Sequence, residues 1–171
     1  MLRKISIIVL NFLFIKNAFA GAFLSTGAVY SKSKDNSFYM QPQTNINASY
    51  GYFLKANNYT LTFQTNRLIN KTQNQFIQSK ANGKAYELKT RLRADSLLLG
   101  YKFKRFNPSI VVSNARLERT LTERKVNNAL LYGLNFNYFI DRNISLSTTY
   151  IAPNKEFGLV GAGLVSINYL F

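Results

Sequence analysis

The stretch Val165-Ser166-Ile167-Asn168-Tyr169-Leu170-Phe171 decides the fold: Val165, Ile167, Tyr169 and Phe171 share one parity, and Ser166 and Asn168 the other. Period-two alternation puts successive side chains on opposite faces of an extended chain, so this is a strand with one apolar and one polar face. The pattern repeats upstream. Leu130, Tyr132, Leu134, Phe136, Tyr138 and Ile140 alternate with Gly133, Asn135 and Asn137, and Ile144, Leu146, Thr148 and Tyr150 oppose Ser145, Ser147 and Thr149. Ile46, Ala48, Tyr50, Tyr52 and Leu54 oppose Asn45, Asn47, Ser49 and Gly51, while Tyr59, Leu61, Phe63 and Thr65 oppose Thr60, Thr62, Gln64 and Asn66. The 11 Tyr and 14 Phe of the chain favour strands for the same reason.

Eight such segments are expected, at roughly 22–31, 44–54, 59–69, 86–103, 109–119, 128–140, 144–151 and 157–171. Three connections are short and rich in turn formers, at Lys55 to Asn58, Lys104 to Pro108 and Asp141 to Asn143. The connections at Lys32 to Gln43, Asn70 to Ala85, Thr120 to Asn127 and Ala152 to Glu156 are mostly longer, polar and Lys-bearing. Short and long connections alternate, as in an up-and-down barrel set across a membrane. Pro42, Pro108 and Pro153 all fall in connections, where a missing N–H costs least.

The fourth segment departs from the pattern. Leu97, Leu99, Tyr101 and Phe103 are odd, but Tyr86, Leu88, Leu92 and Ala94 are even, so the apolar face changes near Asp95 and Ser96. This reads as a β-bulge, or as the point where the strand leaves the bilayer and continues above it. A break into two strands would spoil the even count.

The 171 residues carry 22 Lys and Arg against 7 acidic residues, a net charge of +15, with 47% hydrophobic residues, which excludes a disordered basic tail. Arg3 and Lys4 precede an apolar run from Ile5 to Ile15 that ends at Ala18-Phe19-Ala20, the pattern of a secretory signal peptide. About 11 apolar residues are too few for a spanning helix, which needs ~20. The expected organisation is therefore a signal peptide over 1–20 and one barrel domain over 21–171, with export across the inner membrane.

A soluble barrel would turn its apolar face inward and a membrane barrel outward. Tyr30, Tyr52, Tyr59, Tyr138, Tyr150, Tyr169 and Phe171 share the apolar face near strand ends, where aromatic girdles meet headgroups, which favours lipid outside. Ten residues at ~3.3 Å and a ~45° tilt span about 23 Å, close to the ~25 Å apolar band of such barrels. The terminal Ile167, Tyr169 and Phe171 resemble the assembly signal of Gram-negative outer-membrane barrels, and Ser25-Thr26-Gly27-Ala28-Val29-Tyr30-Ser31 is similar to the opening strand of small OmpX-like barrels. The resemblance implies an eight-stranded antiparallel barrel in the outer membrane, inserted by the barrel-assembly machinery, of the OmpX-like and opacity-type surface class.

Three function classes follow. The first is a surface protein presenting basic loop residues, Lys71, Lys80, Lys84, Arg124 and Lys125 among them, to lipopolysaccharide phosphates or anionic host-surface molecules. The second is narrow-channel transport, opposed by the small interior of eight strands; there Arg91, Arg93, Asp95, Arg116 and Glu118 are expected to fill the lumen as a charge network. If Phe103 pairs with Ser109, Asp95 comes near Arg116 or Leu117, and Arg93 near Glu118. The third is an outer-membrane enzyme. The chain has no His and no Cys, which removes the commonest general base and the soft metal ligands, so no catalytic, metal or cofactor site is expected. Export and the lack of a basic aromatic groove also exclude nucleic acid as a partner.

Overall fold

The structure, a computed structural model, describes residues 18–40, 42–68 and 73–171. It contains β1 (Ala18–Ser33), β2 (Phe38–Tyr39), β3 (Gln43–Ala56), β4 (Tyr59–Leu68), β5 (Gln73–Ser79), β6 (Ala85–Tyr101), β7 (Phe106–Thr120), β8 (Arg124–Phe139), β9 (Ile144–Ile151) and β10 (Leu159–Leu170). Eight of these close an antiparallel barrel in the order β6-β4-β3-β1-β10-β9-β8-β7, the last pairing back to β6. Closure leaves the wall without a free edge. The first and last described strands meet in that seam: β10 pairs with β1 from Phe23↔Leu170 upward, and the Phe171 N–H donates to the Ala22 carbonyl at 2.9 Å.

Parity sets the faces as the alternation requires. Ser25, Asn47, Ser49, Ser113, Asn135, Ser147, Ser166 and Asn168 are buried inside, while Leu24, Tyr50, Tyr132, Leu134, Phe136, Val165 and Ile167 are exposed outside. An exposed apolar belt on a closed barrel is the inverse of a water-soluble protein and fits a lipid environment. No helix of the described residues is long and apolar enough to cross a membrane; the strands make the crossing.

Two expected connections hold more structure than their composition suggests. The segment after β4 contains β5, which pairs with the upper half of β6, and β2 pairs with β5. Ile77 is buried and Phe76 exposed, so the wall continues above the level where β4 ends. The expected loop over Thr120 to Asn127 shrinks to the turn Leu121–Glu123, because β7 and β8 stay paired up to Thr120↔Arg124.

The expected bulge in the fourth barrel strand is absent. β6 pairs with β7 without a register shift from Lys89↔Thr120 to Gly100↔Ser109, and with β4 from Arg67↔Arg93 to Tyr59↔Tyr101. The other reading of the parity change holds: the strand continues upward while its outer face turns from apolar to charged and its inner face from polar to apolar. The bulge sits instead in β10, where Lys32↔Gly161 is followed by Ser33↔Leu159, leaving Val160 over.

Candidate functional site

Three regions carry chemistry: a charged cluster on the outer wall, the mouth, and the lumen.

The five residues expected to fill the lumen cluster together, but on the wrong side. Even residues of β6 and odd residues of β7 point inward, as buried Leu88, Leu98, Ser113 and Leu117 show, so Arg91, Arg93, Asp95, Arg116 and Glu118 face outward. The expected register also fails. Ser109 faces Gly100, not Phe103, because Phe103 bridges Phe106 in a tighter turn. The cross-strand pairs are therefore Arg91↔Glu118, Arg93↔Arg116 and Asp95↔Asn114. Charges at these positions escape the cost of burial, which is the physical reason the wall carries them outside.

Their ion pairs run mostly along strands. Arg93 Nη2 lies 3.5 Å from Asp95 Oδ2, Arg116 Nη2 lies 3.3 Å from Glu118 Oε1, and Arg124 Nη2 donates to the same Glu118 oxygen at 2.9 Å. Sequence spacing did not single out Arg67, which the register sets beside Arg93 and hence in a row Arg67↔Arg93↔Arg116 across three strands. Strands lie ~4.8 Å apart, and like charges directly opposite one another repel. Lys89 continues the positive surface upward on β6. Asp95 and Glu118 supply the ion pairs of Arg93, Arg116 and Arg124.

Above this row, the mouth opens as a vestibule of about 960 Å³. Lys34, Lys125 and Lys155 line it together with Asp35, Glu123 and Glu156, so its charge is mixed. Lys80 is tied down: its Nζ donates to the Asp35 carbonyl at 2.8 Å and lies 5.4 Å from the Tyr39 ring centroid. Lys84 is exposed, and Arg124 belongs to the outer cluster. Lys71 lies outside the described residues.

The lower lumen is lined by short polar side chains, most of which hydrogen-bond one another, while the buried Ser25 hydroxyl has no partner among the described residues. Ser96 and Ser113 hydroxyls are 2.7 Å apart, Gln64 Nε2 donates to Ser49 Oγ at 2.8 Å, and Asn135 Nδ2 donates to Thr149 Oγ1 at 2.7 Å. Ser147 and Ser166 hydroxyls meet at 2.7 Å, and Asn168 donates to Ser145 Oγ at 3.0 Å. The residual space here is a cavity of only about 60 Å³. The upper lumen is apolar, with Ala115, Leu117, Ala129, Leu131 and Phe157 packed as a buried cluster.

At the opposite end, Ile167, Tyr169 and Phe171 all point outward, and the Tyr169 and Phe171 rings pack edge to face at 5.0 Å. Tyr59–Tyr101 and Phe106–Tyr138 pairs, with centroids at 5.3 and 5.1 Å, lie around the same end and form an aromatic girdle. Among the described residues, no group of three or more acids could hold a metal ion.

No protein-family model matches the chain, and no curated protein matches its sequence. Solved structures do match. The chain is similar to Ail, the attachment invasion locus protein of Yersinia pestis, in complex with the heparin analogue sucrose octasulfate: TM-score 0.64, 10% identity, covering 89% of this chain and 99% of that one. It is similar to the neisserial surface protein NspA (TM-score 0.54, 10% identity, 91% and 100% covered) and to the outer-membrane protein OprG of Pseudomonas aeruginosa (0.53, 12%, 92% and 99%). These are small eight-stranded outer-membrane barrels, and the fold of this chain is theirs.

Proposed function

We propose that this chain is an outer-membrane surface barrel that engages anionic molecules, phosphorylated lipopolysaccharide or sulfated and acidic glycans, through arginines on its upper outer wall. The observation that carries the reading is the row Arg67, Arg93 and Arg116 set side by side just above the apolar belt. Asp95 and Glu118 offset only part of the charge of Arg67, Arg91, Arg93, Arg116 and Arg124, and an anion laid across the row lowers the remaining repulsion while accepting bidentate hydrogen bonds. The complex of Ail with a heparin analogue supports the same ligand chemistry on this fold. The lower lumen, with a residual space of only about 60 Å³, favours this reading over narrow-channel transport.

The test uses the full barrel in lipid nanodiscs, titrated with sucrose octasulfate and with lipopolysaccharide. Replacing Arg67, Arg93 and Arg116 together by Gln is expected to weaken binding about tenfold or more, charged hydrogen bonds being worth ~1.5–3 kcal/mol each before screening. The wild-type affinity should also fall with salt, the Debye length being ~8 Å at physiological ionic strength. Neutralising Lys80 and Lys84 should matter less. Equal binding by wild type and the triple variant at low salt overturns the proposal.

A further inference from the structure

The upper lumen holds a cavity of about 160 Å³ between the polar lower lumen and the vestibule. Its walls include Leu92, Val111, Leu117, Leu131, Ile151 and Leu164, contributed by strands all around the barrel. Eight strands normally give an interior that side chains just fill, yet here side chains do not fill this space. Most of the surface it presents is apolar, although Gln43, Asn45, Asn47, Gln64 and Asn66 also border it.

Met40, Leu117, Arg119 and Leu159 border both the cavity and the vestibule, and Phe157 packs into the cavity lining beside them. Phe157, in the β9–β10 connection, is buried to 3% exposure, and Asn154 Oδ1 accepts its N–H at 2.9 Å. Arg119 Nη2 donates to the Phe157 carbonyl at 3.1 Å. The chain leaves Phe157 through Gly158 at φ +60°, whose carbonyl accepts from the Lys34 N–H at 2.7 Å. A Cβ on Gly158 would stand 2.7 Å from the Lys34 carbonyl, so this turn is built for glycine. Arg119 lines both the cavity below and the vestibule above, and points inward from β7. Of the charged residues bordering the cavity, Arg119 projects from the inner face of β7, while Arg67, at an outward and exposed position near the upper end of β4, reaches its edge.

We infer that this cavity is a binding site for a small apolar carboxylic acid, its body of about one ring or six carbons below Phe157 and its carboxylate on Arg119. The body gains from leaving water for an apolar, close-fitting space. The headgroup meets a partly buried guanidinium whose Nη2 already holds the Phe157 carbonyl, so the carboxylate takes the rest of the fork or displaces that contact. A cationic or neutral head gains nothing there. Entry is from the mouth, past Met40 and Arg119, which line both spaces.

The experiment uses the full barrel in lipid nanodiscs with methyl-labelled Leu and Ile, titrated with hexanoate, hexan-1-ol and hexylammonium. Expected are saturable shifts at the inward methyls of Leu117, Leu131 and Ile151 with hexanoate, weaker ones with hexanol, and none with hexylammonium. Arg119→Gln should weaken hexanoate about tenfold or more and leave hexanol within about twofold. Ala94→Phe, which fills the cavity, should abolish both; Leu164→Phe serves if that variant loses its heat-modifiable barrel. Shifts confined to the outward Leu99 and Leu134, which report partition into lipid, overturn the site. Hexanoate binding that is indifferent to Arg119→Gln overturns the acid assignment.

Discussion

Replacing Gly51 by alanine tests how tightly the barrel wall is coiled. Gly51 sits on the inner face of β3, paired with Phe23 on β1 and with Gln64 on β4. A Cβ there would stand 1.9 Å from the Phe63 carbonyl oxygen, 2.9 Å from Phe23 Cε1 and 3.0 Å from Gln64 Cα. Two of these neighbours are backbone, so relief requires β3 and β4 to separate. Overpacking of this kind costs ~1–3 kcal/mol, and a weakened ladder hydrogen bond adds ~1. The smaller unfolded-state entropy of alanine returns ~0.4–1, leaving a net loss of about 1–3 kcal/mol. Gly163 on β10 is the control: a Cβ there meets nothing within 4 Å, so Gly163→Ala keeps only the small favourable term. Urea titration of both variants in the same micelles, read by the heat-modifiable gel shift, should show a lower midpoint for Gly51→Ala and an unchanged or raised one for Gly163→Ala. Coincident midpoints would refute the close approach of β3 and β4.

Phe171→Asp should sharply reduce envelope levels of the folded barrel. In vitro stability should fall by only ~1 kcal/mol, the worth of an edge-to-face aromatic pair with Tyr169, because the ring is exposed; a parallel loss in both assays would argue against a role as assembly signal. Mass spectrometry of the mature protein is expected to find Gly21 at the N-terminus, after loss of a strand tip in which Ala18–Ala20 pair with Leu54–Ala56; an intact Met1 in the envelope contradicts the signal-peptide reading. Arg93→Gln and Arg116→Gln should each change stability by ~0.2–1 kcal/mol, as for exposed ion pairs, against ~3–5 for the buried network that the alternation suggested. Lys102, in the β6–β7 turn, has its pKa held below 10.5 by burial and then by the charge of Lys55. The unfolded chain thus binds more protons between that lowered pKa and 10.5, and stability should rise with pH through this window; Lys102→Met should flatten the rise in urea midpoints.

The alternation ending at Phe171 fixed by itself the number of barrel strands, the outward direction of Tyr30, Tyr52, Tyr59, Tyr138, Tyr150 and Tyr169, and the polar filling of the lower lumen. It could do so because the side-chain period of a strand is two and lipid and lumen select opposite chemistries. It could not place Arg93 or Arg116, because above the apolar belt water lies outside the wall and the polarity rule lapses. There Leu92 and Leu117 turn inward and arginines outward, and identical alternation acquires the opposite meaning. Only the unbroken register of β6 with β7 distinguishes this from a bulge. The row with Arg67 and the Arg119–Phe157 contact at the cavity join residues 26 and 38 positions apart. Local pattern carries no information about which distant strands meet, and closure of the barrel decides it.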